Sequence, residues 1–432
     1  MNARPVASAD VVFVGGGISG HAGAAAAAGR GARVALIEKE SQPAREGSGR
    51  AQGSLRLQGR RAAEFPLAQE SIELWKQLGE DVDCELRFGG NIYLCDDLAE
   101  LPALRALVDE AHSAGLSDVR LLSPDEAREV VPVATGPFAA AMWSAYDGQC
   151  DPAKSTRAFA ARAARRGVTT LRNTLALRIV EDGGRVRGVE TTRGFVKAPA
   201  VVVTGGVWTP HLVATVGVNV PIMPVAHGQA ESTPTDVSVQ PTVRAWGFGF
   251  RQRPDGRLVL SAGLGARVEH RMSIAATRDA RLWASRYRAN RRNVRLRFDP
   301  ALTIRQLRDR SRLSTGHIPV ATEPPAPRRS DIDSALRALT EVMPAFENLR
   351  IDRYWSGWLD ISPDGLPIID GRAGPEGLVF ITGLSGHGLA LGPVIGEITA
   401  DLALDGATQR PIHPFRLARF SEERVQLPDK MI

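Results

Sequence analysis

The stretch that most constrains the fold runs from Ala9 to Glu40, ADVVFVGGGISGHAGAAAAAGRGARVALIEKE. Asp10-Val11-Val12-Phe13-Val14 is a short apolar run of strand type, stopped at once by three glycines. Gly15, Gly17 and Gly20 satisfy G-x-G-x-x-G, and an alanine-rich helical pattern follows from Ile18 to about Gly29. A second apolar run, Val34 to Ile37, ends in an acid, Glu38, eighteen residues beyond Gly20. The spacing predicts one strand–helix–strand unit of a dinucleotide fold.

Each part has a physical task. Gly15 permits the tight turn, Gly17 lets backbone approach a pyrophosphate, and Gly20 lets helix and strand pack closely. The helix start at Ile18 and Ser19 offers free N–H groups and a partial positive charge. Glu38 is placed to accept hydrogen bonds from an adenosine ribose, with Lys39 beside it. The unit does not separate NAD from FAD.

A chain of 432 residues exceeds one ordinary core, so two domains are expected. Hydrophobic content of 43% and charged content of 24% describe a soluble globular protein. The net charge is +6, yet no aromatic-interleaved basic motif accompanies it, which argues against nucleic-acid binding. Cys84, Cys95 and Cys150 are too few for a disulfide framework and lack metal spacing, so no metal and a reducing, cytoplasmic compartment are expected. No apolar run reaches membrane-spanning length.

Beyond Glu38 lies a glycine-dense loop from Glu46 to Leu55, in which Ser48, Gly49, Arg50, Ala51, Gly53 and Ser54 would sit beside the same nucleotide. Helical patterns span Ala62 to Leu78 and Leu101 to about Ser113, with another starting near Asp125. Strands are expected at Cys84–Phe88 and Asn91–Cys95. Asp151 and Pro152 open a helix to Arg166. Strands follow at Val168–Leu171, Ala176–Val180 and Val186–Thr191, and a buried one from Ala198 closes on Gly205-Gly206-Val207-Trp208. A further strand core is Trp246 to Arg251, hairpinned onto Arg257–Leu260. Residues 267 to 312 hold fourteen arginines against four acids. They read as a solvated helical excursion, with a docking face for an acidic partner as the alternative. Near the end, the buried strand Leu378 to Thr382 meets a third glycine turn, Gly383-Leu384-Ser385-Gly386-His387-Gly388, and then a helix start.

Four spaced pieces, the amino-terminal unit, SGRAQGSL, VVVTGGVW and WSGWLDISPDGLPIID…GLSGHGLALGP, together resemble the FAD-dependent D-amino-acid oxidase superfamily. The carboxy-terminal motif is most similar to the opine oxidase and sarcosine oxidase β-subunit branch. The resemblance implies an α/β fold, a Rossmann-type FAD-binding domain (1–62, 150–218 and 350–432) with a discontinuous α+β substrate domain (63–149 and 219–349). It implies noncovalent FAD, with Ala176 near adenine. Gly205, Trp208, Gly357, Gly383, Ser385, Gly386, His387, Gly388 and Leu389 would line the cofactor. Oxygen or another electron acceptor, and partner subunits, come with the branch.

The departures from the family pattern are informative. The family carries G-L-R-P before its final acid motif, the arginine clamping a substrate carboxylate; here Gly357-Trp358-Leu359-Asp360 stands at that spacing. Leucine cannot make a bidentate carboxylate contact. Either another arginine such as Arg251 does so, or the substrate has no carboxylate there. Asp360 is then placed to attract a cationic amine, or else to cap a turn. Gly357 removes the flavin-linking cysteine of monomeric sarcosine oxidase, and no lysine lies between Lys197 and Lys430. The expected reaction is oxidation of a C–N bond in a secondary amine or N-substituted amino acid, with Asp360, His387, Arg251, Trp246 and Trp355 as the candidate catalytic set. Hydroxy-acid oxidation, or service as a subunit of a larger dehydrogenase, are the alternatives.

Overall fold

Three glycine-closed apolar runs end side by side in one sheet. The structure, a computed structural model, describes residues 5–263, 268–272, 279–291, 294–298, 300, 304, 324 and 326–422. Among these, six strands lie in the order Ile368–Asp370, Leu378–Thr382, Ala200–Val203, Val11–Val14, Val34–Ile37 and Thr169–Leu171. All neighbours are parallel except the first pair. Val11–Val14, Val34–Ile37 and Ala200–Val203 are buried at every residue, as expected where both faces of a parallel sheet are covered. Helices Ile18–Gly29, Pro152–Arg165 and Gly388–Asp405 cover one face through Phe13, Ala24, Ala163, Val202 and Ala400. A four-stranded sheet (Ala7–Ser8, Gly194–Lys197, Arg185–Thr191, Ala176–Asp182) covers the other, with Val12, Val14 and Val203 against Ile179, Val189 and Val196.

An eight-stranded sheet forms the second layer, in the order Ile351–Ile361, Met223–Ser232, Leu258–Ala262, Phe248–Gln252, Thr242–Ala245, Asn91–Cys95, Ala140–Ser144 and Val119–Leu122. Residues 350–432 therefore supply strands to both large sheets. Cross-strand register makes the two faces of the larger sheet unlike. Val243, Phe250, Leu260 and Ala230 form one row, packed on Ile332, Ala335 and Leu339 of helix Arg329–Val342. The opposite row reads Trp355, Gln229, Ser261, Gly249, Arg244 and Tyr93. That face is polar, and the loop after Arg50 lies across it.

Several expectations shift. Cys84–Phe88 makes only an isolated bridge, Arg87 to Gln149, because Gln149 donates and accepts there without a continuing ladder. Trp246 and Gly247 form a bend before the strand, which starts at Phe248. In the arginine-rich segment the helix Ala280–Asn290 is present, but Val268–Met272 and Val294–Phe298 pair as parallel strands. Of the apolar residues that suggest this helix, Leu282, Trp283 and Tyr287 fall within it, while Ile274 lies outside the described residues. The strand Ile351–Ile361 has no expected counterpart.

The alanine and glycine content of the first helix is a packing requirement. A Cβ on Gly23 would stand 2.4 Å from Thr399 Oγ1, and one on Gly396 would stand 2.5 Å from Ala22 Cβ. Helix Ile18–Gly29 and helix Gly388–Asp405 thus touch through backbone. Gly396→Val is expected to lose about 2 kcal/mol of stability through overpacking, read as a lower urea midpoint with an unchanged slope.

Candidate functional site

The first glycine turn is fixed by close approach of backbone. Gly15 has φ 110°, and a Cβ there would lie 2.6 Å from Thr204 O. A Cβ on Gly20 would lie 1.9 Å from Gly15 O. The start of helix Ile18–Gly29 has no side-chain cap and no acid in its first turn, so it presents positive potential. Ile18 N donates to Ser48 Oγ at 3.1 Å, bringing the Glu46–Leu55 loop onto the helix start. Glu38 Oε2 accepts from Gly16 N at 2.6 Å and Oε1 from Glu40 N at 2.8 Å. Burial raises the Glu38 pKa against the pull of those two hydrogen bonds. Lys39 is held by Glu40 and Glu46, its ammonium 4.5 Å above the Trp208 ring. Trp208 Nε1 is buried without a partner.

One cavity gathers these pieces. Gly15, Gly17, Ile18, Ser19, Glu38 and Lys39 line it from the first unit, and Ser48 and Ala51 from the loop. Ala176, Gly205 and Trp208 join from the middle of the chain, and Asp360, Gly386, Gly388 and Leu389 from the end. Gly206 and Gly386 face open space, since a Cβ on either would meet nothing within 4 Å. The remaining expected residues brace its walls. Gly20 and Gly49 permit backbone contacts, a Cβ on Gly49 falling 1.9 Å from Ala44 O. Arg50 donates to Arg45 O at 2.8 Å and Ser356 O at 3.1 Å, with Gly357 packed against its stem. Gly53, at φ 106°, sits against Cys150 O, and Ser54 pairs with Gln149. Gly383 and Ser385 hold φ of 68° and 51°, and Ser362 N donates to Ser385 Oγ at 3.1 Å.

The candidate catalytic set does not converge. Asp360 does line the cavity: buried, it accepts from Thr382 Oγ1 at 3.1 Å, and its carbonyl accepts from Ser385 N at 3.0 Å. Burial pushes its pKa up to about 6 despite hydrogen bonds from Leu384, Thr382 and Gly383. It therefore ties the last glycine turn as well as facing the cavity. His387 directs Nδ1 to Glu64 Oε1 at 2.7 Å, and burial lowers its pKa. Trp355 Nε1 donates to Arg50 O at 3.1 Å beneath the Arg353 guanidinium. Arg251 is turned to Glu85 at 3.6 Å and Asp151 at 3.8 Å, and its Nε bonds Gln52 O. Trp246 is 41% exposed, because its bend carries it off the sheet.

Buried charges that local sequence does not announce stand behind the site. Glu64 is fully buried between His387 and Arg60, whose Nη1 lies 3.0 Å away. Burial raises its pKa, but His387, Arg60 and the Arg61 N–H overcome it and hold it at about 2. Asp147, also buried, accepts from Leu57 N at 2.9 Å and Ser144 Oγ at 2.8 Å, with its pKa pushed up to about 6 by burial. Arg60 and Glu64 stand four residues apart and Ser144 and Asp147 three, but His387 and Leu57 reach these acids only through the fold. Because the folded Glu64 pKa is depressed, its stabilisation is present above the ordinary carboxyl range and is lost as pH falls through about 2. Glu64→Gln is expected to cost about 3 kcal/mol at pH 7, with the gap to wild type closing in acid, as read by denaturant midpoints across pH.

No group of side chains among the described residues has metal-ligand geometry. No described helix is long and apolar enough to cross a membrane. The chain matches the DAO family, FAD dependent oxidoreductase, over residues 10–402. It is 24% identical over 428 residues to glycine oxidase of Bacillus subtilis (strain 168), covering 97% of this chain and 99% of the relative. The L-amino acid deaminase structure from Proteus vulgaris superposes with a TM-score of 0.86 at 26% identity, covering 97% of this chain and 99% of that one. L-proline dehydrogenase from P. horikoshii gives 0.78 at 24%, covering 98% and 100%. Matched by the family model over residues 10–402, and with a glycine-walled cavity lined by Glu38, this protein is a member of the DAO family of FAD-dependent oxidoreductases.

Proposed function

We propose that the chain holds FAD noncovalently in the glycine-walled cavity and oxidises the C–N bond of a secondary amine or N-substituted amino acid. The observation that carries the proposal is the convergence of three glycine turns, Glu38 and the unpartnered Trp208 Nε1 on one cavity. FAD, when bound, supplies a two-electron acceptor for a hydride leaving the substrate carbon. The start of helix Ile18–Gly29 would meet the pyrophosphate, and Glu38, whose oxygens keep further lone pairs, the ribose hydroxyls. Trp208 Nε1 would gain the acceptor it lacks. The cysteines are buried and none lines the cavity, and Gly357 offers no side chain, which supports noncovalent binding.

In the reaction the substrate carbon loses a hydride, its nitrogen loses a proton, and C=N replaces C–N. Water then adds, and the bond breaks to a carbonyl compound and an amine. The nitrogen must be unprotonated for its lone pair to assist. Asp360, with a pKa of about 6, is a proton acceptor near neutrality on the cavity wall. The names glycine oxidase and L-amino acid deaminase among the similar proteins both denote amino-acid chemistry and support this substrate class. Oxygen or another carrier would then reoxidise the flavin.

The test is anaerobic mixing of the purified holoprotein with amines, N-alkyl amino acids and hydroxy acids. Bleaching by the N-alkyl compounds is expected; bleaching by hydroxy acids alone would refute the reading. Glu38→Ala leaves Gly16 N and Glu40 N without their acceptor and is expected to weaken FAD binding at least tenfold, measured by titrating apoprotein with FAD.

A further inference from the structure

Lys39 makes a contact that its place in the sheet does not require. It stands two residues beyond strand Val34–Ile37, and Trp208 stands five residues beyond Ala200–Val203. Strand Val11–Val14, which ends in the first glycine turn, runs between those two. Alternate strands of a sheet are about 10 Å apart. Yet the Lys39 ammonium lies 4.5 Å above the Trp208 ring, so the two side chains close that gap across the turn. Lys39, Trp208 and Gly15 to Ser19 line one cavity.

The ammonium is anchored where it crosses. It donates to Glu40 Oε1 at 2.6 Å and to Glu46 Oε1. Glu46 belongs to a tight turn, its carbonyl accepting from Gly49 N at 2.9 Å and Arg50 N at 3.1 Å. Ser48 in the same turn receives Ile18 N, which fixes the turn to the helix start. One cation thus ties together the end of a strand, the Glu46 loop and the Trp208 turn. Burial would lower the Lys39 pKa, but the hydrogen bonds to Glu40 and Glu46 outweigh it and raise the value, so the tie is charged in neutral solution. Lys39 is 19% exposed and Glu46 28%, which places the tie at the rim of the cavity. Trp208, for its part, keeps a buried Nε1 donor without a partner. Its face serves Lys39, and its edge is left for a ligand.

We infer that Lys39, Glu46 and Trp208 form a clasp at the nucleotide end of the cavity and set how fast the cofactor leaves. This rests on the reading that FAD binds noncovalently there and adds its regulation; it does not depend on which substrate is oxidised. A cofactor held at the helix start and by Trp208 Nε1 has the tie on its solvent side, so departure requires the tie to open. A cation–π contact and a partly sheltered ion pair are each modest singly. Acting on one ammonium, they slow escape, while entry takes place with the clasp open and is little affected.

Timed gel filtration of diluted holoprotein, scoring the FAD retained by its visible absorbance, tests the clasp. Lys39→Met keeps the stem and removes the charge. It is expected to release FAD about 5- to 30-fold faster, with an association rate within about twofold of wild type. Glu46→Ala should also speed release, and adding it to Lys39→Met should give no further acceleration, because both open one tie. Trp208→Phe keeps a ring beneath Lys39 and loses only the donor, so Lys39→Met should accelerate release fully in that background. In the Trp208→Leu background it should accelerate release less. Unchanged release in Lys39→Met, with or without a lower melting temperature, would overturn the clasp and leave FAD binding in place. Accelerations that multiply in the Lys39→Met and Glu46→Ala pair would overturn it as well, since Lys39 would then act on the cofactor directly. A wild-type protein that takes up no FAD would instead remove the cofactor reading, and the clasp with it.

Discussion

The whole site depends on backbone meeting backbone where a Cβ would not fit. Gly15 and Gly20 let the first strand end, the first helix and Thr204 of a distant strand occupy one small volume. Sheet hydrogen bonds extend that contact sideways: Gly15 N donates to Ile37 O at 2.9 Å, Glu38 N to Leu171 O at 2.9 Å, and Thr204 N to Val14 O at 2.8 Å. Glu38 is therefore positioned by four adjoining strand ends and not by a loop. The same economy recurs at Gly23 and Gly396, where the helix bearing the first glycine turn touches the helix that follows the last one. Moving either helix outward by a side chain's width would separate the two ends of the cavity.

Above that frame, the larger sheet divides its duties by face. One face is apolar and is sealed by helix Arg329–Val342. The other is polar and is spanned by the chain from Arg50 to Gln58, which supplies its own hydrogen bonds. Gln58 Nε2 donates to Met142 O at 2.8 Å, and Asp147 holds the Leu57 and Gln58 N–H groups. Each buried polar group is costly unless satisfied, so the groups left over stand out.

The glycine turns were legible in the sequence because their cause is local. A strand-type run, a glycine that must take positive φ and a helix start all fall within a dozen residues. The polar sheet face was not legible, because it exists only through pairing between strands far apart in the chain. Arg244 and Arg251 occupy the same face and look alike in sequence. What separates them is Glu85 and Asp151, which fold against one and not the other. Trp246 shows the converse error: a large aromatic beside a strand invites burial, yet the bend leaves it in solvent. His387 was visible as a loop residue, but its partner Glu64 comes from a helix-flanking turn more than three hundred residues earlier in the chain.

Leucine at position 359 brings no cation to the buried Asp360 carboxyl beside it in sequence. Leu359 lines the same cavity as Asp360, so an arginine at that position would add a cation to the wall. Burial already holds Asp360 near pKa 6, and a neighbouring guanidinium would pull that value down and remove its capacity to take a proton near neutrality. Arg244 stands four strands away, on the face of the sheet opposite to Asp360, so it adds no cation to that wall.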